Sequence, residues 1–260
     1  MQATSVDFGV RVAAGVDALL DLLLPIHCVV CGNAVERGSR SPACGACWAR
    51  ATRLRWPQCD RCGHPLTVRD VPNGSPDPRR CRWCDLLPPH VRAVRSVCWV
   101  PEGTGGAIVH ALKYDGWTAF AEGMARCMAA LAWPRDVVDE RTALVPVPLA
   151  TERARERGYN QSALLARALA PVWACPVWED VLVRVVHTES QTRLTPGERL
   201  RNVAGAFRTA HGTARALRGA HVVLVDDVVT TAATLNACAA ALISGGARIV
   251  SYVTFGRARS

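Results

Sequence analysis

Near the C-terminus of the 260-residue chain, two adjacent acids and a run of threonines follow a short apolar stretch. The order is His221-Val-Val-Leu-Val225, then Asp226 and Asp227, Val228 and Val229, and Thr230-Thr231-Ala232-Ala233-Thr234, before a helical pattern from Leu235 to Ile243. An apolar run of this length, bounded by polar residues, reads as a buried strand. A turn of small, hydroxyl-bearing residues that opens a helix presents unpaired backbone N–H groups to a phosphate dianion, and the threonine hydroxyls add donors. An acid pair accepts hydrogen bonds from two neighbouring hydroxyls. Together these residue types suit a phosphorylated sugar. An ordinary buried strand with an acidic exit and a threonine-rich helix start has the same composition and stands as the plain alternative.

Eight cysteines occupy the other half of the chain as four C-x-x-C pairs: Cys28 with Cys31, Cys44 with Cys47, Cys59 with Cys62, and Cys81 with Cys84. Eight thiolates supply two structural zinc sites of four ligands each. Disulfides belong to oxidising compartments. The N-terminal stretch lacks the basic start and small-residue cleavage site of a secretory leader. Taken in order, the pairs give one site from Cys28, Cys31, Cys44 and Cys47 and another from Cys59, Cys62, Cys81 and Cys84. An interleaved cross-brace is the alternative, and spacing leaves both open. Cys98, Cys127, Cys175 and Cys238 lie in apolar or alanine-rich surroundings and read as buried thiols.

Three further clusters have chemical potential. Val145-Pro146-Val147-Pro148-Leu149 ends a strand pattern and is followed by Arg153, Arg157, Gly158, Tyr159, Asn160 and Gln161. Arginine forks bind the oxygens of a diphosphate bidentately. A solvated charged loop would look the same in isolation. The second cluster, Arg184, Gln191, Thr192, Arg193, Arg199, Arg201, Asn202 and Phe207, forms a long basic insertion that would cap a site or bind a polyanion. Third, Gly105 and Gly106 open a helix, and there a glycine turn reads as structural. Lys113 is the single lysine beside thirty arginines. It is either a ligand group or a chance exposed residue at a helix end.

The elements that must position these groups follow from periodicity. Residues 1–24 read as an amphipathic helix and residues 25–90 as a double zinc-ribbon module. Residues 91–260 read as an α/β domain, with Pro88-Pro89 at the boundary. The module has too little apolar content for a core of its own, so metal folds it, while the larger domain is expected to have its own core. Strands are expected at 95–100, 143–147, 181–186, 221–225 and 248–254. Helices are expected at 104–113, 118–132, 160–170, 195–204 and 234–244. Such alternation implies a mostly parallel sheet flanked by helices.

Half of the residues are hydrophobic, yet no apolar run approaches the ~18 residues of a membrane span. The expectation is a cytoplasmic protein without membrane insertion. The formal charge of +9 falls to about +5 once eight thiolates and two zinc ions are included. A moderate positive excess is compatible with phosphorylated small molecules or with nucleic acid.

The strand–acid–threonine motif resembles the phosphoribosyl-diphosphate (PRPP) signature of type I phosphoribosyltransferases. Over nearly its whole length the chain resembles the ComF family of competence-associated, phosphoribosyltransferase-like proteins. The resemblance rests on the four C-x-x-C pairs, LKYDG at 112–116, VPVPL at 145–149, RERGYNQS at 155–162, TRLTPGERLRNVAGAF at 192–207 and VVLVDDVVTTAAT at 222–234. It implies a zinc-bearing module on a type I phosphoribosyltransferase fold, PRPP with magnesium, and a role with single-stranded DNA beside a helicase-like or other DNA-processing partner. It also implies residue roles. Val228, Val229, Thr230, Thr231, Ala232, Ala233 and Thr234 would form the 5′-phosphate turn, and Asp226 and Asp227 would hold the ribose hydroxyls. Arg153 or Arg157, with Lys113 and the backbone at Pro146 and Val147, would hold the diphosphate. One departure is visible: the family has glycine where this chain has Ala232, which is costly, on the order of 1–2 kcal/mol, if that residue is left-handed. A PRPP-binding sensor without activity and a zinc-ribbon nucleic-acid adaptor are the alternative functions.

Overall fold

A computed structural model of the chain describes residues 26–35, 41–67, 81–185 and 205–259. The expected helices at 1–24 and 195–204, and most of the basic insertion, lie outside the described residues.

The centre is a five-stranded sheet. Its strands are β3 (Ala51–Arg53), β4 (Val91–Gly103), β5 (Arg141–Pro146), β8 (His221–Val229) and β9 (Ile249–Ala258), in the spatial order β3-β4-β9-β8-β5. The β4/β9, β9/β8 and β8/β5 pairs are parallel, and β3 adds to the edge antiparallel to β4. Between them run α2 (Gly105–Tyr114), α3 (Phe120–Ala129), α4 (Arg135–Glu140), α5 (Thr151–Arg157), α6 (Gln161–Trp173), α7 (Ala214–Leu217) and α8 (Ala233–Ser244). Before β4 lie the short strands β1 (Ile26–His27) and β2 (Ala34–Val35), α1 (Gly45–Ala49) and a 3-10 turn, Arg82–Leu86.

The strands sort their side chains with a period of two. Val223, Val225, Val253 and Phe255 face one core, with Ile108 and Leu112 of α2, Phe120 and Met124 of α3, and Leu165 and Leu169 of α6. Val222, Leu224, Val250 and Tyr252 face a second core with Leu235 and Leu242 of α8. This is the expected mostly parallel sheet with helices on both faces.

Two expectations need correction. The segment expected as a sheet strand at 181–186 is β6 (Leu182–Arg184), which among the described residues pairs with β7 (Phe207–Thr209) alone, in a separate antiparallel ribbon. The basic insertion therefore springs from a hairpin that leaves the sheet. The core of the larger domain is also not closed to the ribbons. β3 belongs to the main sheet, and Cys28 and Cys47 join the first core while Cys59, Cys62, Cys81 and Cys84 join the second. Trp48 of α1 meets Phe120 and Phe255 edge-on at 6.0 and 6.2 Å. Arg61 ties the ribbon to the start of β4, donating to the carbonyls of Cys84, Leu87, Pro88 and Val91. Gly105 and Gly106 are structural, as read: a Cβ on Gly106 would stand 2.7 Å from the Pro101 carbonyl oxygen.

Candidate functional site

β8 runs past the apolar residues and includes both acids, so Asp226 and Asp227 lie at its C-terminal end rather than in a following loop. The turn Thr230–Ala232 then leads into α8. Ala232 is left-handed, with φ 60° and ψ 6°. Only one other described non-glycine residue, Ala174, has positive φ. The methyl group at this position is accommodated with strain of about 1–2 kcal/mol.

The acids are engaged from the opposite wall. Lys113, at the end of α2, places Nζ 2.9 Å from Asp227 Oδ1. Burial disfavours the ammonium, but the Asp227 carboxylate outweighs it and holds the lysine above its usual range. Ser162 Oγ donates to Asp226 Oδ1 at 2.8 Å, and the Asp227 N–H donates to the same oxygen at 2.9 Å. Burial, then the neighbouring Asp227 charge, push the Asp226 carboxyl up to about 7, with Lys113 opposing. Asp227 Oδ2 is buried and has no hydrogen-bond partner.

A cleft of about 290 Å³ opens here. It is lined by Lys113, Val147, Arg153, Ser162, Asp226, Val228 and the turn Thr230–Thr234 among others. Val147 donates its N–H to the Val225 carbonyl, which brings the end of β5 beside the acids. Asn160 fixes the next segment. Its side chain caps α6 by accepting from the Ser162 N–H at 3.0 Å, and its amide donates to the Val147 carbonyl at 3.0 Å. Gly158, with φ 75°, ends α5 in the left-handed conformation that a Cβ would strain. Thus GYNQS serves mainly to hold Val147 and Ser162 in place.

Of the predicted site residues, Asp227 is buried and, unlike Asp226, does not line the cleft; Pro146 is buried at the end of β5, and Val229 is buried on the far side of the turn from the cleft. Arg157 does not line the main cleft. It donates to Gln161 Oε1 at 3.0 Å and lies 4.9 Å over the Tyr114 ring, in an adjoining cavity that shares Lys113, Tyr114 and Arg153 with the cleft. Arg184 reaches the cleft from β6. The residues not anticipated are Ser162 and Tyr114. Ser162 ends RERGYNQS, but its partner lies 64 positions away, beyond any local signal.

The eight C-x-x-C cysteines form two groups in sequential use, Cys28/Cys31/Cys44/Cys47 and Cys59/Cys62/Cys81/Cys84, with the sulfurs of each group within 4.8 Å of one another. None is in a disulfide. Four convergent soft thiolates fit tetrahedral zinc. The first group has Cys31 exposed, whereas all four cysteines of the second are buried. Cys98, Cys175 and Cys238 are buried, as read; Cys127 is half-buried.

Residues 19–85 match the double zinc ribbon domain, and residues 160–260 match the phosphoribosyl transferase domain. The chain is similar to the DNA utilization protein YhgH of Salmonella typhimurium, with 33% identity over 80% of this chain and 86% of that protein. It is similar to competence protein ComFC of Bacillus subtilis, with 29% identity over 78% of each. Among solved structures, the glutamine PRPP amidotransferase of B. subtilis aligns with 16% identity and a TM-score of 0.35, over 52% of this chain and 25% of that one.

Proposed function

We propose that this chain, which belongs to the ComF family and carries a double zinc ribbon and a phosphoribosyl transferase domain, binds PRPP in the cleft at the end of β8 and transfers its phosphoribosyl group. The observation that carries the reading is the acid pair at the end of β8: Asp226 lines the cleft with the threonine turn, and its neighbour Asp227 keeps a buried Oδ2 without a hydrogen-bond partner. A buried acceptor with an open valence is costly unless a ligand donor meets it, and a ribose hydroxyl supplies one.

In this reading the turn Thr230–Thr234 and the first amides of α8 receive the 5′-phosphate. Asp226 and Asp227 accept from the ribose hydroxyls, and Lys113 pairs with Asp227 from the opposite wall. Arg153 and the backbone from Val147 to Ala150 face the diphosphate, with Arg157 reinforcing the positive charge from the adjoining cavity. Magnesium, when bound with the diphosphate, offsets charge on the leaving group. The C1–O bond breaks with its electrons leaving on the diphosphate, and the acceptor's lone pair forms the new bond at C1. Catalysis then rests on positioning and charge stabilisation.

The names of the relatives point to DNA utilization and competence. We accordingly place this activity in the processing of single-stranded DNA in the cytoplasm, alongside DNA-processing proteins. No helix among the described residues is long and apolar enough to cross a membrane. The left-handed Ala232 favours a second reading, a PRPP-binding sensor without turnover.

Calorimetry with PRPP and magnesium tests binding, and pyrophosphate release with candidate acceptors separates enzyme from sensor. Binding is expected for the parent and its loss for the Asp226→Asn, Asp227→Asn double variant. Undiminished affinity in the double variant would overturn the roles of the acids.

A further inference from the structure

Behind the phosphate turn stands the second cysteine cluster. A cavity of about 40 Å³ separates them, with Cys62, His64 and Trp83 on one wall and Val229 to Ala232 and Arg257 on the other. Both ends of the turn are fastened across this gap. At the strand end, Arg257 of β9 lies opposite Val229 in the ladder, and its Nη2 donates to the Cys62 carbonyl at 2.5 Å. Its Nε is buried and without a hydrogen-bond partner. At the helix end, Asn236 donates its backbone N–H to the Ala232 carbonyl at 2.8 Å, and its side-chain amide to the Leu86 carbonyl at 2.9 Å. Leu86 closes the 3-10 turn that carries Cys84.

The charges agree with this geometry. A zinc ion with four thiolates is doubly negative. The sulfur-bearing residues of this cluster are each 3% exposed or less, so water screens that charge poorly and protein cations must offset it. A left-handed alanine also persists only where its surroundings over-determine it, and the ribbon contacts at both ends do so here.

We propose that Arg257 is a positioning residue that, held against the metal–thiolate cluster of Cys59, Cys62, Cys81 and Cys84, fixes the turn at Thr230–Ala232 in its phosphate-receiving shape, so that phosphate binding follows metal occupancy of that cluster. The proposal rests on the reading of the cleft as a PRPP site. Its test therefore has one arm that needs no ligand.

In the zinc-loaded full-length chain, Arg257→Met is expected to keep both zinc ions by native mass spectrometry. Amide hydrogen exchange across residues 230–236 should nevertheless quicken about tenfold or more, the scale on which groups around a metal act. Arg257→Lys should recover part of the protection. By calorimetry, PRPP affinity should fall in parallel, and Cys84→Ser should weaken it at least tenfold more than Cys31→Ser does. Unchanged exchange at 230–236 in a two-zinc Arg257→Met protein overturns the proposal. So does equal loss of affinity from the two cysteine variants. A parent protein that does not bind PRPP defeats the reading of the cleft, while the exchange arm still decides the role of Arg257.

Discussion

Lys113 Nζ is 2.9 Å from Asp227 Oδ1, and through this contact the chain's single lysine meets the acid pair from a helix on the opposite wall of the cleft. Replacing the lysine by methionine leaves a buried carboxylate without its cation. The loss should be about 3 kcal/mol of unfolding free energy. Urea denaturation at pH 8 measures it, and a loss below about 1 kcal/mol would contradict the pairing.

Asp226 gives a prediction of opposite sign. Its carboxyl is raised to about 7, by burial first and by Asp227 second. The folded protein thus holds this proton more tightly than the unfolded chain does. The associated stability is fully present below the ordinary carboxylate value and is lost as pH rises through about 7. Asp226→Asn, which can still accept from Ser162, should therefore be more stable than the parent at pH 8 by about 1–3 kcal/mol and show no such gain at pH 4. The same variant should bind PRPP more weakly. A variant less stable than the parent at pH 8 would refute the assignment.

Ala232→Gly should relieve the left-handed strain at φ 60°. The folded state should gain about 1 kcal/mol, net of the greater freedom of glycine in the unfolded chain. PRPP affinity should be unchanged or improved. Thermal unfolding and calorimetry on one preparation check both, and a lower melting temperature would show that the methyl group contributes packing that outweighs its strain.

Native mass spectrometry should count two zinc ions, bound by the eight paired cysteines. Cys59→Ser should remove one of them. Because its cluster shares a core with Leu224, Tyr252 and Leu235, the variant should lower the melting of the whole sheet rather than of the ribbon alone. Persistence of the parent melting temperature after loss of one zinc would disprove the shared core.

Weak, sequence-independent binding to single-stranded DNA is expected from the net positive charge, with a log–log salt slope of roughly −0.7 per phosphate contact. Of the tryptophans in the ribbons, Trp48 packs on Phe120 and Phe255, and Trp83 lies 4.9 Å from the His64 ring. Trp56 is 66% exposed. Trp56→Ala should weaken binding, by about 1–3 kcal/mol if a base stacks on it. Fluorescence anisotropy that shows a salt-independent affinity, or no binding at ~50 mM salt, would exclude the electrostatic picture.

What could be read from the sequence was what is local. The threonine turn, the acid pair, the helix that follows and the C-x-x-C groups are each set by neighbours in the chain; the structure puts the turn and Asp226 in one cleft and the cysteines in two sequential groups. The left-handed state of Ala232 could be posed as a question but not answered, because alanine has no conformational signature of its own. Long-range relations were out of reach. Nothing near Ser162 announces Asp226, and nothing near Ala51–Arg53 announces that three residues of a ribbon will extend the main sheet. β6 has the apolar pattern of a sheet strand, yet its partner is β7, because strand pairing is chosen by tertiary contacts that periodicity does not encode.

β9 follows β4 and β8 in sequence, yet it lies between them in the sheet. Without it, β4 and β8 have no shared neighbour, and Trp48 keeps Phe120 but lacks Phe255. The middle of the sheet therefore closes only when segments far apart in sequence meet. High sequence separation between partners slows such closure and leaves apolar edges exposed meanwhile.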